Sequence, residues 1–194
     1  MIKIGITGSL ASGKSTVAKT LAKMGFTVLN ADELVHRLLL KGSEAYTEVL
    51  DAFGLDILGP GQQVDRKKLG EIVFKDKSKL ELLESIIHPK IRKCMKTKRE
   101  DLTSKGEDIA FYDVPLLFEK KMETQFDQIV VVSCSEDLQV KRLMAREKLN
   151  KGQALSRIAL QLPMKEKEKK ANLVIMNNEG LLELEQKVRS IYAQ

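Results

Sequence analysis

The stretch GITGSLASGKST, residues 5–16, carries the most specific chemistry in the chain: Gly8 and Gly13 frame four residues, and Lys14 and Ser15 follow at once. Each residue type meets a need of polyphosphate binding. Backbone N–H groups of a tight loop point inward at a β-phosphate, a lysine bridges β- and γ-phosphates, and a hydroxyl takes a Mg²⁺ ion. Lys14 and Ser15 supply the last two, Gly13 lets the backbone approach closely, and Ala11, Ser12 and Thr16 complete the loop. Such a loop identifies a phosphate donor and leaves the acceptor open, because kinases and nucleotide-dependent switches share it.

Other residues are placed to act on the transferred group. Asp32 follows the second expected strand, where it either caps the helix beginning ELVHRLLL or serves as a carboxylate that orients or deprotonates an attacking hydroxyl. Asp113, at the end of the third expected strand, competes for a metal-linked role or simply ends that strand. Arg142 and Arg146 lie four apart on one helix face; their guanidinium groups suit the charge on a transferring phosphoryl group, or serve solubility. His88, ahead of Pro89, reads by itself as a structural hydrogen-bonding group. The polar tract 150–170 is either a solvated helix or a lid that closes over nucleotide.

These residues need elements to hold them. Residues 2–7, IKIGIT, form a β-prone run; VAKTLAKM then places Val17, Leu21 and Met24 at helical spacing, and Gly25 marks a helix stop. FTVLN, residues 26–30, is a second strand, and the step from strand through helix to strand builds a parallel sheet, giving an α/β class. Ligands bind at the carboxyl rim of such sheets, where the loop and Asp32 both fall. From Glu33 to Lys105 the pattern is helical without a strand, which predicts a helical subdomain inserted in the α/β core. Its last helix is expected to open at Pro89 and carries Lys90, Arg92, Lys93, Lys96, Lys98 and Arg99. The sheet resumes at residues 108–113 and 128–133 and ends at 171–177. Ser135 is expected to cap a helix with Leu138, Leu143 and Met144 inside, and residues 181–192 form a closing amphipathic helix.

Bulk properties narrow the class. With 43% hydrophobic and 31% charged residues among 194, the chain suits a soluble globular protein, and no apolar run reaches the roughly 18 residues of a membrane span. The start MIKIGITGS has no signal-peptide pattern, so a cytoplasmic protein is expected. Cys94 and Cys134 have no neighbours at metal-ligand spacing, which points away from zinc and from a disulfide framework. A net charge of +6 favours an anionic partner without choosing among nucleotide, polyphosphate and nucleic acid. A GTP-driven switch is disfavoured by the lack of an N-K-x-D tetrad, and a nucleic-acid binder by the 5% aromatic content.

Taken in order, ITGSLASGKST, NADELVHRLL, VDRKKLGEIVF at 64–74, HPKI at 88–91, DVPLLFE at 113–119, QVKRLMAR, RIALQLP at 157–163 and ANLVIMNNEG at 171–180 resemble the dephospho-coenzyme A kinase family nearly end to end. The resemblance implies a P-loop three-layer fold with a five-stranded parallel sheet. It places the core at 1–32, 106–146 and 171–194, a helical substrate subdomain at about 33–105 and a small lid at about 147–170. It implies transfer of the ATP γ-phosphoryl group to the ribose 3′-hydroxyl of dephospho-coenzyme A, with Mg²⁺. Asp32 takes the position of the general base, Lys14 and Arg142 neutralise charge, and Gly8, residues 11–16 and Arg146 hold ATP. His88, Pro115, Leu116 and Leu117 lie near the acceptor, and Ser15 and Asp113 serve the metal. Small-molecule partners, no membrane, no specific nucleic acid and a monomer or weak oligomer are expected. The chain departs from the family pattern at Ser9 and Ala11, where glycines are usual, and at Asn172, where aspartate is usual.

Overall fold

Residues 4–8 of strand β1 (Ile2–Gly8) are buried on both faces, as a central parallel strand covered by helices requires. In the computed structural model, which describes residues 1–192, β1 lies between β3 (Ile109–Asp113) and β4 (Gln128–Ser133). Strands β2 (Thr27–Asn30) and β5 (Leu173–Met176) flank them, and the order β2-β3-β1-β4-β5 is parallel throughout. The last two residues of the expected 171–194 segment lie outside the described residues. The helices are α1 (Lys14–Lys23), α2 (Ala31–Leu38), α3 (Tyr46–Phe53), α4 (Arg66–Val73), α5 (Lys77–Ser104), α6 (Glu136–Glu147), α7 (Lys151–Ile158), α8 (Met164–Lys169) and α9 (Leu181–Tyr192). Two compact units result: residues 1–30 with 107 onward, and residues 31–106.

In the sheet unit, Ile4, Ile6, Phe111, Val130, Val132 and Ile175 meet Val17 and Leu21 of α1 and Leu184 and Val188 of α9. Phe26, Phe111 and Tyr192 close one end edge to face, at centroid distances of 5.1–6.2 Å. Helix α1 stops where its sequence predicts. Gly25 takes φ 94°, its N–H bonds Ala22 O at 3.1 Å, and the Phe26 N–H bonds Leu21 O at 3.1 Å. Ser135 does precede α6, but its hydroxyl makes no capping bond; its backbone N–H instead donates to Asn178 Oδ1 at 2.8 Å. Leu138 and Met144 are only partly buried, and Gln139 and Val140 take inner positions beside Leu143.

The helical unit buries Leu39, Val49, Ile57, Leu69, Val73 and Ile87 together. Pro89 does not open a helix, and His88 does not stand at a helix mouth: α5 runs unbroken through both. Asp76 starts it twelve residues earlier by accepting from the N–H groups of Ser78 and Lys79. Proline removes one backbone donor, and burial of Leu80, Leu83, Ile86, Ile87 and Ile91 against the unit's core outweighs that loss. The basic face of α5 is largely ion-paired, Lys90 with Glu48, Lys93 with Glu44, Lys96 with Glu100 and Lys98 with Asp101. No described helix is long and apolar enough to cross a membrane.

Candidate active site

Strand β1 delivers the loop to the carboxyl rim, and geometry explains both of its glycines. A Cβ on Gly8 meets Ser12 Oγ and Val132 O at 2.6 Å, and one on Gly13, at φ 103°, runs into Asn177 Nδ2. Gly13 precedes α1 and offers no side-chain cap, and the backbone N–H groups of Gly13, Lys14 and Ser15 bond no acceptor among the described residues. The Ser12 hydroxyl is buried without a partner as well. Bare donors at the positive end of a helix form an anion cradle, so the loop fits a polyphosphate. Of the two departures from the family's glycines, Ala11 takes a backbone conformation that glycine adopts more readily. It sits at φ 58°, left-handed backbone in which a side chain costs about 1–2 kcal/mol.

Lys14 and Asp113 meet directly, ammonium to carboxylate. Asp113 is 3% exposed and also accepts from Asn30 Nδ2 at 3.0 Å, so its charge is compensated inside the rim. Ser15 is exposed at the start of α1, leaving its hydroxyl open to a ligand. No group of three or more histidine, cysteine or acidic side chains is close enough to cage a metal among the described residues. A hydroxyl and one carboxylate beside a polyphosphate cradle fit Mg²⁺, which keeps waters and takes most other ligands from phosphate.

A ring of polar residues that sequence reasoning missed supports the loop. Asn177, just past β5, donates from Nδ2 to Ser12 O at 2.8 Å, and its own carbonyl accepts from Arg142 at 3.0 Å. Arg142 therefore braces the β5 end. Gln139 of α6 and Gln161, between α7 and α8, hold Ser9 and Leu10. Lys167 of α8 is fully buried; it pairs with Glu119 at 2.7 Å and lies 3.5 Å from Gly8 O. Burial alone pushes the Glu119 carboxyl up, but the Lys167 hydrogen bond, backbone N–H groups including that of Leu162 and the Lys167 charge hold it below its usual value. The tract 150–170 is thus not a uniformly solvated surface. One signal was available for Asn177, which occupies a strand end at the same rim as Asp113.

The remaining predicted residues are placed less tightly. Arg146 is exposed and bonds Glu147 at 2.7 Å; Glu147 also pairs with Arg157. Asp32 is exposed in the first turn of α2, which begins one residue earlier, so it is not the capping residue that precedes the helix. His88 is exposed on α5. The three residues of the PLL turn are placed differently. Leu117 is fully buried against Gly5 beside Phe126, whereas Leu116 is exposed and the Pro115 carbonyl accepts from Thr7 at 3.2 Å. Asn172 ties β5 to β4: its Oδ1 accepts from Ile129 N–H at 2.7 Å and its N–H donates to Ile129 O at 2.9 Å.

Comparison with known proteins agrees with this geometry. The family model for dephospho-CoA kinase matches residues 2–183. The dephospho-CoA kinase of Carboxydothermus hydrogenoformans is 47% identical over 180 residues, 93% of this chain and 87% of that protein. Among solved structures, the dephospho-CoA kinase of Campylobacter jejuni superposes with a TM-score of 0.71 at 31% identity, covering 97% of this chain and 94% of that one. A Thermus thermophilus protein does so at 0.81 and 34%, covering 99% and 96%. The five-stranded parallel sheet, the phosphate loop at its rim and these likenesses agree: the chain belongs to the dephospho-CoA kinase family, kinases that use ATP and phosphorylate dephospho-CoA in the final step of coenzyme A biosynthesis.

Proposed function

We propose that the chain transfers the γ-phosphoryl group of ATP to the ribose 3′-hydroxyl of dephospho-coenzyme A. The observation that carries this reading is the bare N-terminus of α1, with Lys14 beside it, in a chain of this family. The loop N–H groups hold the β-phosphate; Lys14 exchanges Asp113 for the β- and γ-phosphate oxygens. Mg²⁺, held by Ser15 and Asp113, supplies charge neutralisation when bound. Asp32 orients the acceptor hydroxyl and takes its proton as the new O3′–P bond forms and the bond to the departing ADP oxygen breaks. Arg142, with Arg146 beyond it, adds positive charge near the transferring group, and catalysis comes mainly from positioning and electrostatics. The helical unit receives the acceptor, with His88 near it, and residues 147–170 cover the nucleotide.

The test is an acceptor panel. ATP consumption should need dephospho-coenzyme A and fail with nucleosides, shikimate or gluconate. Asp32→Asn should lower kcat by about 100-fold or more with ATP affinity nearly intact. A folded protein with no turnover on dephospho-coenzyme A overturns the assignment; a fully active Asp32→Asn variant overturns the role of Asp32.

A further inference from the structure

Ser9 and Leu10, the two residues that follow β1, are fastened from two sides. The Ser9 hydroxyl donates to Gln161 Oε1 at 2.8 Å and accepts from Gln139 Nε2 at 2.7 Å. Leu10 repeats the pattern with its backbone: its N–H donates to the same Gln161 oxygen at 3.1 Å, and its carbonyl accepts from the same Gln139 nitrogen at 2.9 Å. One carboxamide acts as a double acceptor and the other as a double donor. Gln139 is 3% exposed and Ser9 7%, so this network is shielded from competing water. Ala11 comes next, in the left-handed conformation that alanine resists, and the Ser12 N–H then closes back onto Ser9 O at 3.2 Å. A clamp immediately before a strained residue keeps that residue from relaxing.

We infer that Ser9 and Gln161 are positioning residues for the triphosphate. Their bond holds the loop in the strained turn from which the α1 N–H groups bind phosphate, and it ties the segment between α7 and α8 to that loop. The inference rests on the proposal that the loop binds ATP; it concerns residues that act through Ala11 and Ser12. A loop released from the clamp samples other conformations, and ATP then has to select the binding geometry, which weakens its apparent affinity.

The experiment compares Ser9→Ala, Gln161→Leu and the double variant with wild type. ATP binding is measured by calorimetry without acceptor, and kcat and both KM values are measured with dephospho-coenzyme A. Loss of the shared bonds should raise the Kd and KM for ATP about fivefold or more in each single variant, with kcat and the KM for dephospho-coenzyme A within about twofold. The double variant should lose less ATP affinity than the two single losses would sum to, because the Ser9–Gln161 bond is common to both. Amide exchange at Leu10 should quicken in Gln161→Leu. Unchanged ATP affinity in both single variants, additive losses, or a lower melting temperature with unchanged ATP affinity each overturn the inference. The calorimetric arm needs no acceptor, so a wild type that binds ATP without phosphorylating dephospho-coenzyme A counts against the proposed function and leaves this result standing.

Discussion

Replacing Lys167 with methionine keeps much of the side-chain volume and removes a charge from the interior. The ammonium is fully buried, 2.7 Å from Glu119 Oε1, and the other Glu119 oxygen already has no partner. After the change Glu119 retains the Leu162 N–H at 2.9 Å but no cation at that distance. Breaking a buried pair from one side costs about 3–5 kcal/mol; with Glu119 19% exposed, water screens part of the orphaned charge, which favours a value of about 3 kcal/mol. Against a total stability of about 5–15 kcal/mol, that is a large loss. The pH dependence carries a definite sign. Burial raises the Glu119 carboxyl, yet the Lys167 bond, backbone N–H groups and the Lys167 charge outweigh it, so its folded value lies below the usual 4.5. The wild-type contribution is therefore fully present above pH 4.5 and lost as pH falls through the lower folded value. Without Lys167 its bond and charge no longer oppose burial, so the folded value rises and the variant's deficit grows with pH. Urea unfolding should show a deficit of about 3 kcal/mol near neutral pH that shrinks toward pH 4, and Glu119→Gln in the same background should recover about half of it. A neutral-pH deficit under about 1 kcal/mol, a pH-independent one, or no recovery refutes the reasoning.

Other substitutions test separate contacts. Gly13→Ala combines left-handed strain with a Cβ that runs into Asn177 Nδ2, so it should cost about 3 kcal/mol in denaturant unfolding and abolish ATP binding by calorimetry; wild-type behaviour contradicts the loop geometry. Asn172→Asp should change stability by less than about 0.5 kcal/mol, since a carboxylate oxygen accepts from Ile129 N–H as the amide oxygen does; a loss above about 1.5 kcal/mol contradicts that role. Burial pushes the Cys134 thiol up despite the opposing effect of Arg142, so iodoacetamide should label the half-buried Cys94 first in peptide mass spectrometry; equal rates contradict it.

What the sequence disclosed was local or periodic. The loop from Gly8 to Ser15, the Gly25 stop and the buried strands each follow from neighbouring residues, and the structure realises them. Pro89 misled because a proline looks like a helix start when the apolar residues before and after it are not seen to share one buried face. Gln139, Gln161, Lys167 and Asn177 escaped notice because each meets the loop from more than 120 residues away, and no local rule pairs them. Lys167 was hidden further by lysine and glutamate neighbours that resemble a solvated tract. The PLL turn by itself does not reveal which leucine faces Gly5; the structure puts Leu117 there.

The most direct test of the proposed transfer is the phosphorus NMR spectrum of the product made from ATP and dephospho-coenzyme A. One ADP per new phosphomonoester, coupled to the ribose 3′ proton and matching authentic coenzyme A, is the predicted result. Phosphate on any other position, or equal ATP hydrolysis without the acceptor, contradicts it.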